Sequence, residues 1–459
     1  MLSPDFVDAL RQIVGADHVR TDDDARTAYG ADALKRGAPA DAVVFPRATP
    51  EVSGIARLCN EHGIPIVPRG GGSGYTGGSV PVRGGVVVSF ERMNRILEID
   101  EANLLAIVEP NVITGDLQDA VEKLGLFYPP DPASLRLSAL GGNVAECAGG
   151  PRAFKYGTTK NYVLGLEAVL PTGEVIETGG KVVKNVVGYD LTHLLVGSEG
   201  TLALITKIIL RLVPLPPVQA TLRATFRDVD AAVAAVINVV RARVVPAALE
   251  LIDGESLEAV GQNLGVRSLA PAGTAALLLL EVDGNPPAVE EDAARAERAC
   301  LESGATAVHR ADDPAEREEL WRVRRELSLS LKLVAKLKIN HDVVVPKGRI
   351  PQLFELVARI RREFGLRVPL FGHAGDGNIH VNIMIDPENE DEVARAHAAE
   401  RALFEGVVAL EGAISGEHGI GFSKAPFLPL DLSADEIALM KRVKQAFDPK
   451  GILNPGKIF

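Results

Sequence analysis

An α+β fold divided between two principal domains is predicted from three observations. Helical and extended patterns are interleaved from the first residues, a glycine-dense segment lies between two strands, and clustered prolines at 212–217 separate an early mixed region from a later one ordered as an antiparallel sheet with helices. At 459 residues the chain also exceeds what one hydrophobic core organises.

Each element has a local cause. Ser3 and Pro4 open a helix as N-cap and first-turn proline, with Phe6, Val7, Leu10 and Val14 on one face. Thr49 and Pro50 start a second, which turns Val52, Ile55, Ala56 and Cys59 inward and stops near Gly63. Residues 64–67 read as a short buried strand running into the glycine segment, and 86–89 as another. Thr114 is expected to cap a helix bearing Leu117, Ala120, Val121 and Leu124 and ended by Gly125. Residues 164–170 pair with 175–178 across the turn Pro171-Thr172-Gly173-Glu174.

Pro214, Pro216 and Pro217 can continue neither a helix nor a ladder, which sets domains at 1–213 and 214–411 with a final segment 412–459. Past the boundary, strands at 220–226, 247–252, 275–282 and near 305 alternate with helices at 229–242 and 288–302, an order suited to an antiparallel sheet with helices on one face. The stretch from Asp448 to Lys457 is turn-rich and expected to dock as a tail.

Charge and cysteine content exclude several function classes. Lys and Arg total 49 against 61 Asp and Glu, a net charge of −12 with no long basic run, which argues against nucleic acid or an anionic membrane as the main partner. An anionic substrate would then need local cations. The opening Met1-Leu2-Ser3-Pro4-Asp5 lacks a secretory pattern and the apolar run 275–282 is too short to span a bilayer, so a cytoplasmic protein without a transmembrane segment is expected. Cys59, Cys147 and Cys300 are too few and too dispersed for a disulfide framework, an iron–sulfur cluster or a zinc–thiolate site. Electrons leaving through a cluster would need another chain to carry it.

Gly72-Ser73-Gly74-Tyr75-Thr76-Gly77 spells the dinucleotide fingerprint G-x-G-x-x-G, but 78–85, with Pro81 and two further glycines, cannot open the helix that a Rossmann unit requires. What remains is a loop of backbone N–H groups able to form an anion nest around a diphosphate. The flanking apolar strands and Tyr75 argue against a mere flexible linker. Two further glycine segments, 140–150 followed by Lys155-Tyr156-Gly157-Thr158, and 188–191 followed by 197–202, suggest a long ligand passing several loops, which favours a flavin dinucleotide over a mononucleotide.

The order of Arg69 to Gly78, Gly141-Gly142-Asn143, Gly197-Ser198-Glu199-Gly200-Thr201-Leu202, Gly372-His373-Ala374-Gly375-Asp376-Gly377-Asn378 and Gly416-Glu417-His418-Gly419 resembles the vanillyl-alcohol-oxidase-type FAD enzymes. Within them it is most similar to the group of the glycolate oxidase catalytic subunit, D-lactate dehydrogenase and D-2-hydroxyglutarate dehydrogenase, along nearly the whole chain. The resemblance implies a two-lobed PCMH-type FAD-binding domain and a cap of the FAD-linked oxidase C-terminal type, with the end of the chain returning to the flavin domain. It implies that Pro68, Arg69, Gly70, Gly71, Gly72, Ser73, Gly74, Thr76, Gly77 and Gly78 hold the diphosphate. The rest of the cofactor falls to Pro132, Ser138, Gly141, Gly142, Asn143 and Ala145, to Gly149, Gly150, Tyr156 and Gly157, and to Glu199, Gly200, Ile205, Asn382 and Asn454. FAD is expected to be non-covalent, because 69–78 contain no histidine. Cys147 is read as a buried packing thiol in preference to a flavin tether.

In the late cluster, His373 and His380 flank a Gly-Asp-Gly turn, so two strands joined there would point both rings into one cavity, with Glu417 as a third ligand from a separate segment. This donor set fits Zn²⁺, with Mn²⁺ and Fe²⁺ as alternatives. Three of the nine histidines, His418 included, fall in the two short glycine-rich motifs, which argues against rings that merely satisfy buried carbonyls. His418 is the candidate general base. The resemblance makes Arg324 the carboxylate clamp and Lys338 an assistant, whereas Arg322 and Arg325 read as a solvated helix face pairing with Glu318 and Glu319.

The implied activity is oxidation of a D-2-hydroxy acid, glycolate or D-lactate ahead of D-2-hydroxyglutarate, to the 2-oxo acid with hydride passing to flavin N5. The alternative is a non-catalytic flavin-fold subunit. Implied partners are flavin-fold and iron–sulfur subunits or a quinone-linked acceptor, through which the chain would lie at the inner membrane, and a second copy in a homodimer.

Overall fold

The computed structural model describes residues 2–265 and 270–459. The chain forms two compact units: Met1–Gly149 with Gly157–Leu215 and Glu417–Phe459, and Gly150–Tyr156 with Pro216–Gly416. The return to the first unit thus falls at Glu417 instead of 412, and nothing in the sequence signals that seven residues at 150–156 belong with the second unit.

Among the described residues the first unit has two principal sheets, besides a two-stranded pairing of Val213–Pro214 with Leu126–Phe127. One runs in the order Val19–Arg20, Ala42–Val44, Val86–Ser89, Ile66–Arg69, with the last three strands parallel. Helices Pro4–Val14 and Thr49–His62 cover it, and Phe6, Leu10, Val52 and Ile55 share a core with Val44, Ile66 and Val88. The Ser3 hydroxyl caps the first helix by accepting from the Phe6 N–H, as its position predicts. The second sheet is antiparallel, in the order Ile96–Asp100, Leu105–Val108, Leu204–Arg211, Val163–Val169, Val175–Gly179. Its last hairpin turns at 171–174, where Gly173 has φ +93°.

Two local expectations are corrected. Thr114 is the first residue of helix Thr114–Glu122 and does not cap it; its hydroxyl is drawn to Ser138 and to the Asn143 amide, which donates to it at 2.6 Å. The segment expected to pass a ligand as a loop at 140–150 begins as a helix, Leu140–Glu146. Tertiary packing overrides glycine's propensity here, because a Cβ on Gly141 would lie 2.7 Å from the Pro110 Cβ.

The second unit is built on one seven-stranded antiparallel sheet ordered Ala307–Arg310, Val218–Phe226, Ala276–Gly284, Ala248–Asp253, Leu370–His373, Asn378–Ile385, Leu337–Val344. Helices cover both faces, not one. Leu277, Leu279, Ile252, Phe371 and Met384 pack with Leu257 and Val260 of helix Gly254–Leu264 and with Val323 and Leu327 of helix Pro314–Leu333. Leu278 and Leu280 point the other way by strand alternation and are equally buried, on the side of helices Val229–Arg241 and Pro286–Glu302. The central strands are therefore nearly continuous apolar runs, which conceals the second face from any reading of alternation.

Candidate active site

In the second unit the Gly-Asp-Gly turn joins Leu370–His373 to Asn378–Ile385, with Phe371 opposite His380 in the register. Residues two apart share a face, so His373 and His380 project from the same side; both are buried and their rings lie 5.4 Å apart, edge to face. Glu250, opposite His373 on the neighbouring strand, is fully buried, and its Oε1 lies 2.6 Å from His373 Nδ1. Its Oε2 accepts from Arg324 Nε, and the Arg324 guanidinium lies 4.9 Å from the centre of the Phe371 ring. Burial would raise the Glu250 carboxyl, but Arg324 and His373 outweigh it and hold the group at about 2. An ionised carboxylate only accepts, so His373 donates to it through Nδ1.

The same face continues across the sheet. Asn382 is fully buried, with its amide donating to the carbonyls of Pro369 and His380 and its Oδ1 accepting from Asn340 at 2.7 Å. Lys338 donates to the Ser328 hydroxyl at 2.6 Å and carbonyl at 3.2 Å, and burial lowers its ammonium to about 7. Arg322 and Arg325 pair with Glu319 and Glu318 on the exposed side of their helix. Gly150 and Tyr156 fall in this unit, where the Tyr156 hydroxyl donates to Asp283 at 2.6 Å.

In the first unit the strand Ile66–Arg69 runs into the glycine loop. Among the described residues, the N–H groups of Gly71, Gly72 and Ser73 find no protein acceptor, as an anion nest requires. A Cβ on Gly71 would sit 2.2 Å from the Leu137 carbonyl oxygen, so only glycine at 71 lets the loop approach the segment leading into helix Leu140–Glu146. These glycines and unused donors fit a flavin diphosphate. The Arg69 guanidinium is turned away, donating to the carbonyls of Ala31 at 2.6 Å and Tyr29 at 3.3 Å, which leaves its backbone as the part facing the loop.

Other residues expected at the cofactor build its frame. The Ser138 carbonyl accepts from both Thr114 donors, the Ala145 carbonyl accepts from Glu199 N–H, and a Cβ on Gly200 would lie 2.5 Å from Pro68 Cγ. The Pro132 carbonyl closes a turn onto Leu135, Gly157 has φ +83°, and Ile205 is buried in its strand. Cys147 is only partly buried; it ends helix Leu140–Glu146 at φ +56° with its sulfur 3.4 Å from the Thr158 hydroxyl.

The Gly416-Glu417-His418-Gly419 segment docks into this frame. Thr76 donates to the His418 carbonyl at 3.0 Å, and the His418 ring lies 5.4 Å from that of Tyr75. The buried Glu199 carboxylate accepts from Ile420 and Gly421 N–H at 2.7 Å each, and Asn454 donates to the carbonyls of Gly78 and Glu199. A Cβ on Gly149 would lie 2.9 Å from a Glu417 carboxylate oxygen. Sequence reasoning placed Glu199 on the flavin; here its carboxylate holds the loop that carries His418. It missed Glu250 altogether.

The fold and these two clusters define an FAD-dependent oxidoreductase. The family model for FAD linked oxidases, C-terminal domain, matches residues 215–458, and that for an FAD binding domain matches 40–179. The chain is 42% identical over 460 residues to glycolate oxidase subunit GlcD of Bacillus subtilis, covering 100% of this chain and 97% of that one. It is 37% identical to D-lactate dehydrogenase of Anaerostipes hadrus, over 91% of this chain and 89% of that one, and 34% identical to D-2-hydroxyglutarate dehydrogenase of Stutzerimonas stutzeri, over 100% of both. In fold it is similar to p-cresol methylhydroxylase with substrate bound, at a TM-score of 0.82 and 20% identity, covering 99% of this chain and 96% of that one. The chain belongs to the FAD-linked oxidase family, with a PCMH-type FAD-binding domain and an FAD-oxidase C-terminal cap. No helix among the described residues is long and apolar enough to cross a membrane.

Proposed function

We propose that this flavoprotein oxidises a small D-2-hydroxy acid, glycolate or D-lactate, to the 2-oxo acid, with His373, His380 and Glu417 holding a divalent cation, Zn²⁺ ahead of Mn²⁺ or Fe²⁺. The observation that carries the reading is the carboxylate-held imidazole: the Glu250 carboxylate accepts from His373 Nδ1, with the His380 ring 5.4 Å away on the same hairpin. Gly416 is pinned through its N–H to Asp342, which faces His380 in the register, and Glu417 is the next residue of the chain.

When bound, FAD supplies a two-electron acceptor and the cation supplies Lewis acidity toward the substrate hydroxyl. Oxidation of the hydroxy acid releases one proton and one hydride equivalent. His418 accepts the proton, held for that task by the Thr76 and Glu199 contacts to its loop. Arg324 clamps the substrate carboxylate through its Nη groups, and Lys338 adds a second cation when protonated. The relatives named as glycolate oxidase subunits support transfer of electrons from the flavin to a partner chain.

Anaerobic mixing of the purified flavoprotein with glycolate, D-lactate, L-lactate and D-2-hydroxyglutarate tests this directly. Flavin bleaching by a small D-2-hydroxy acid, abolished by a chelator and restored by Zn²⁺ or Mn²⁺, is the expected result; bleaching that survives complete metal removal overturns the metal role.

A further inference from the structure

Glu250 is a fully buried acid that touches two side chains of the proposed chemistry at once. One oxygen accepts from His373 Nδ1 at 2.6 Å, the other from Arg324 Nε, and Glu250 lies directly opposite His373 in the sheet. All three side chains are nine-tenths or more buried, so no water competes for these bonds. The Arg324 bond uses Nε, which leaves the Nη1 and Nη2 edge for an external acceptor, and the Phe371 ring beneath the guanidinium fixes its plane.

We propose that Glu250 is a positioning residue that couples the metal ligand His373 to the carboxylate clamp Arg324, so that one buried carboxylate sets both the imidazole that binds the cation and the guanidinium that binds the substrate. This rests on the metal reading above. Because the two contacts share one carboxylate, disturbing it weakens cation and substrate binding together, whereas loss of a ligand such as His380 spares the clamp. A surface or merely stabilising acid would affect neither.

The test uses the flavin-loaded protein and Glu250→Gln, which keeps shape and an acceptor oxygen but presents an amide N–H₂ to one of its two donors. Zn²⁺ and Mn²⁺ dissociation constants are measured by chelator competition, with flavin content as control and KM and kcat measured separately at saturating metal. The expected result is metal affinity 10- to 100-fold weaker, flavin content unchanged, and KM still raised when metal is saturating. The double variant Glu250→Gln with Arg324→Gln removes both buried charges and keeps the core neutral should the single variant fold poorly; its metal affinity is expected to fall by the same factor. Wild-type metal affinity in a folded variant, single or double, overturns the proposal. Wild-type protein that binds neither ion overturns the metal reading and this inference together, while leaving oxidation of the hydroxy acid, followed by flavin bleaching, as a separate result.

Discussion

The Thr76 hydroxyl donates to the carbonyl of His418 at 3.0 Å, joining the glycine loop to a residue 342 positions later. The bond holds the backbone that carries the candidate base against the loop that carries the nest. Thr76→Val keeps the shape and removes the donor. Stability is expected to fall by about 1 kcal/mol, and flavin reduction to slow while flavin content is retained, as measured by stopped-flow absorbance beside a thermal melt.

Replacing the base itself separates chemistry from binding. His418→Gln is expected to retain FAD and slow anaerobic flavin reduction by roughly 100- to 10,000-fold. Reduction at the parent rate would assign the proton to another group.

Arg324→Ala does more than remove a clamp. It strands the ionised Glu250 in a site where both partners are almost fully buried. Breaking such a pair costs ~3–5 kcal/mol, so a large drop in melting temperature is expected together with raised KM. A variant with raised KM and unchanged stability would contradict the buried pairing.

Lys338 gives a pH dependence with a definite sign. Burial lowers its ammonium from 10.5 to about 7 in the folded protein, so between those values the unfolded chain binds the proton more readily and stability rises with pH. Lys338→Met is expected to flatten that rise, and to be the more stable protein at and below pH 7. If Lys338 assists the clamp, KM of the parent rises above pH 7 as the charge is lost, and the variant shows KM raised about 10- to 100-fold below pH 7 with no such titration. Stability curves of equal slope for the two proteins would refute the perturbed lysine.

The hairpin of His373 and His380 is legible in the chain because the Gly-Asp-Gly turn sets a register in which His373 faces Asn378, two residues from His380 and on the same face. Glu250 is not, because in Ala248-Leu249-Glu250-Leu251-Ile252 it reads as an outward residue of an alternating strand, and its partners lie 74 and 123 positions away. The same limit hid helix Leu140–Glu146, whose Gly141 is dictated by Pro110, a contact that local propensity does not contain. The glycine loop was readable for the opposite reason: Pro81 excludes the helix within a few residues of the motif.

The Ile66 N–H donates to the Ile452 carbonyl, and the Asn454 N–H donates to that of Ile66, so the strand feeding the flavin nest is completed by residues that follow the second unit in the chain. On the ribosome, the first unit therefore waits for the entire second unit to emerge before its sheet can close. Cofactor loading then follows synthesis of both units, and a nascent chain stalled before Ile452 is expected to remain colourless.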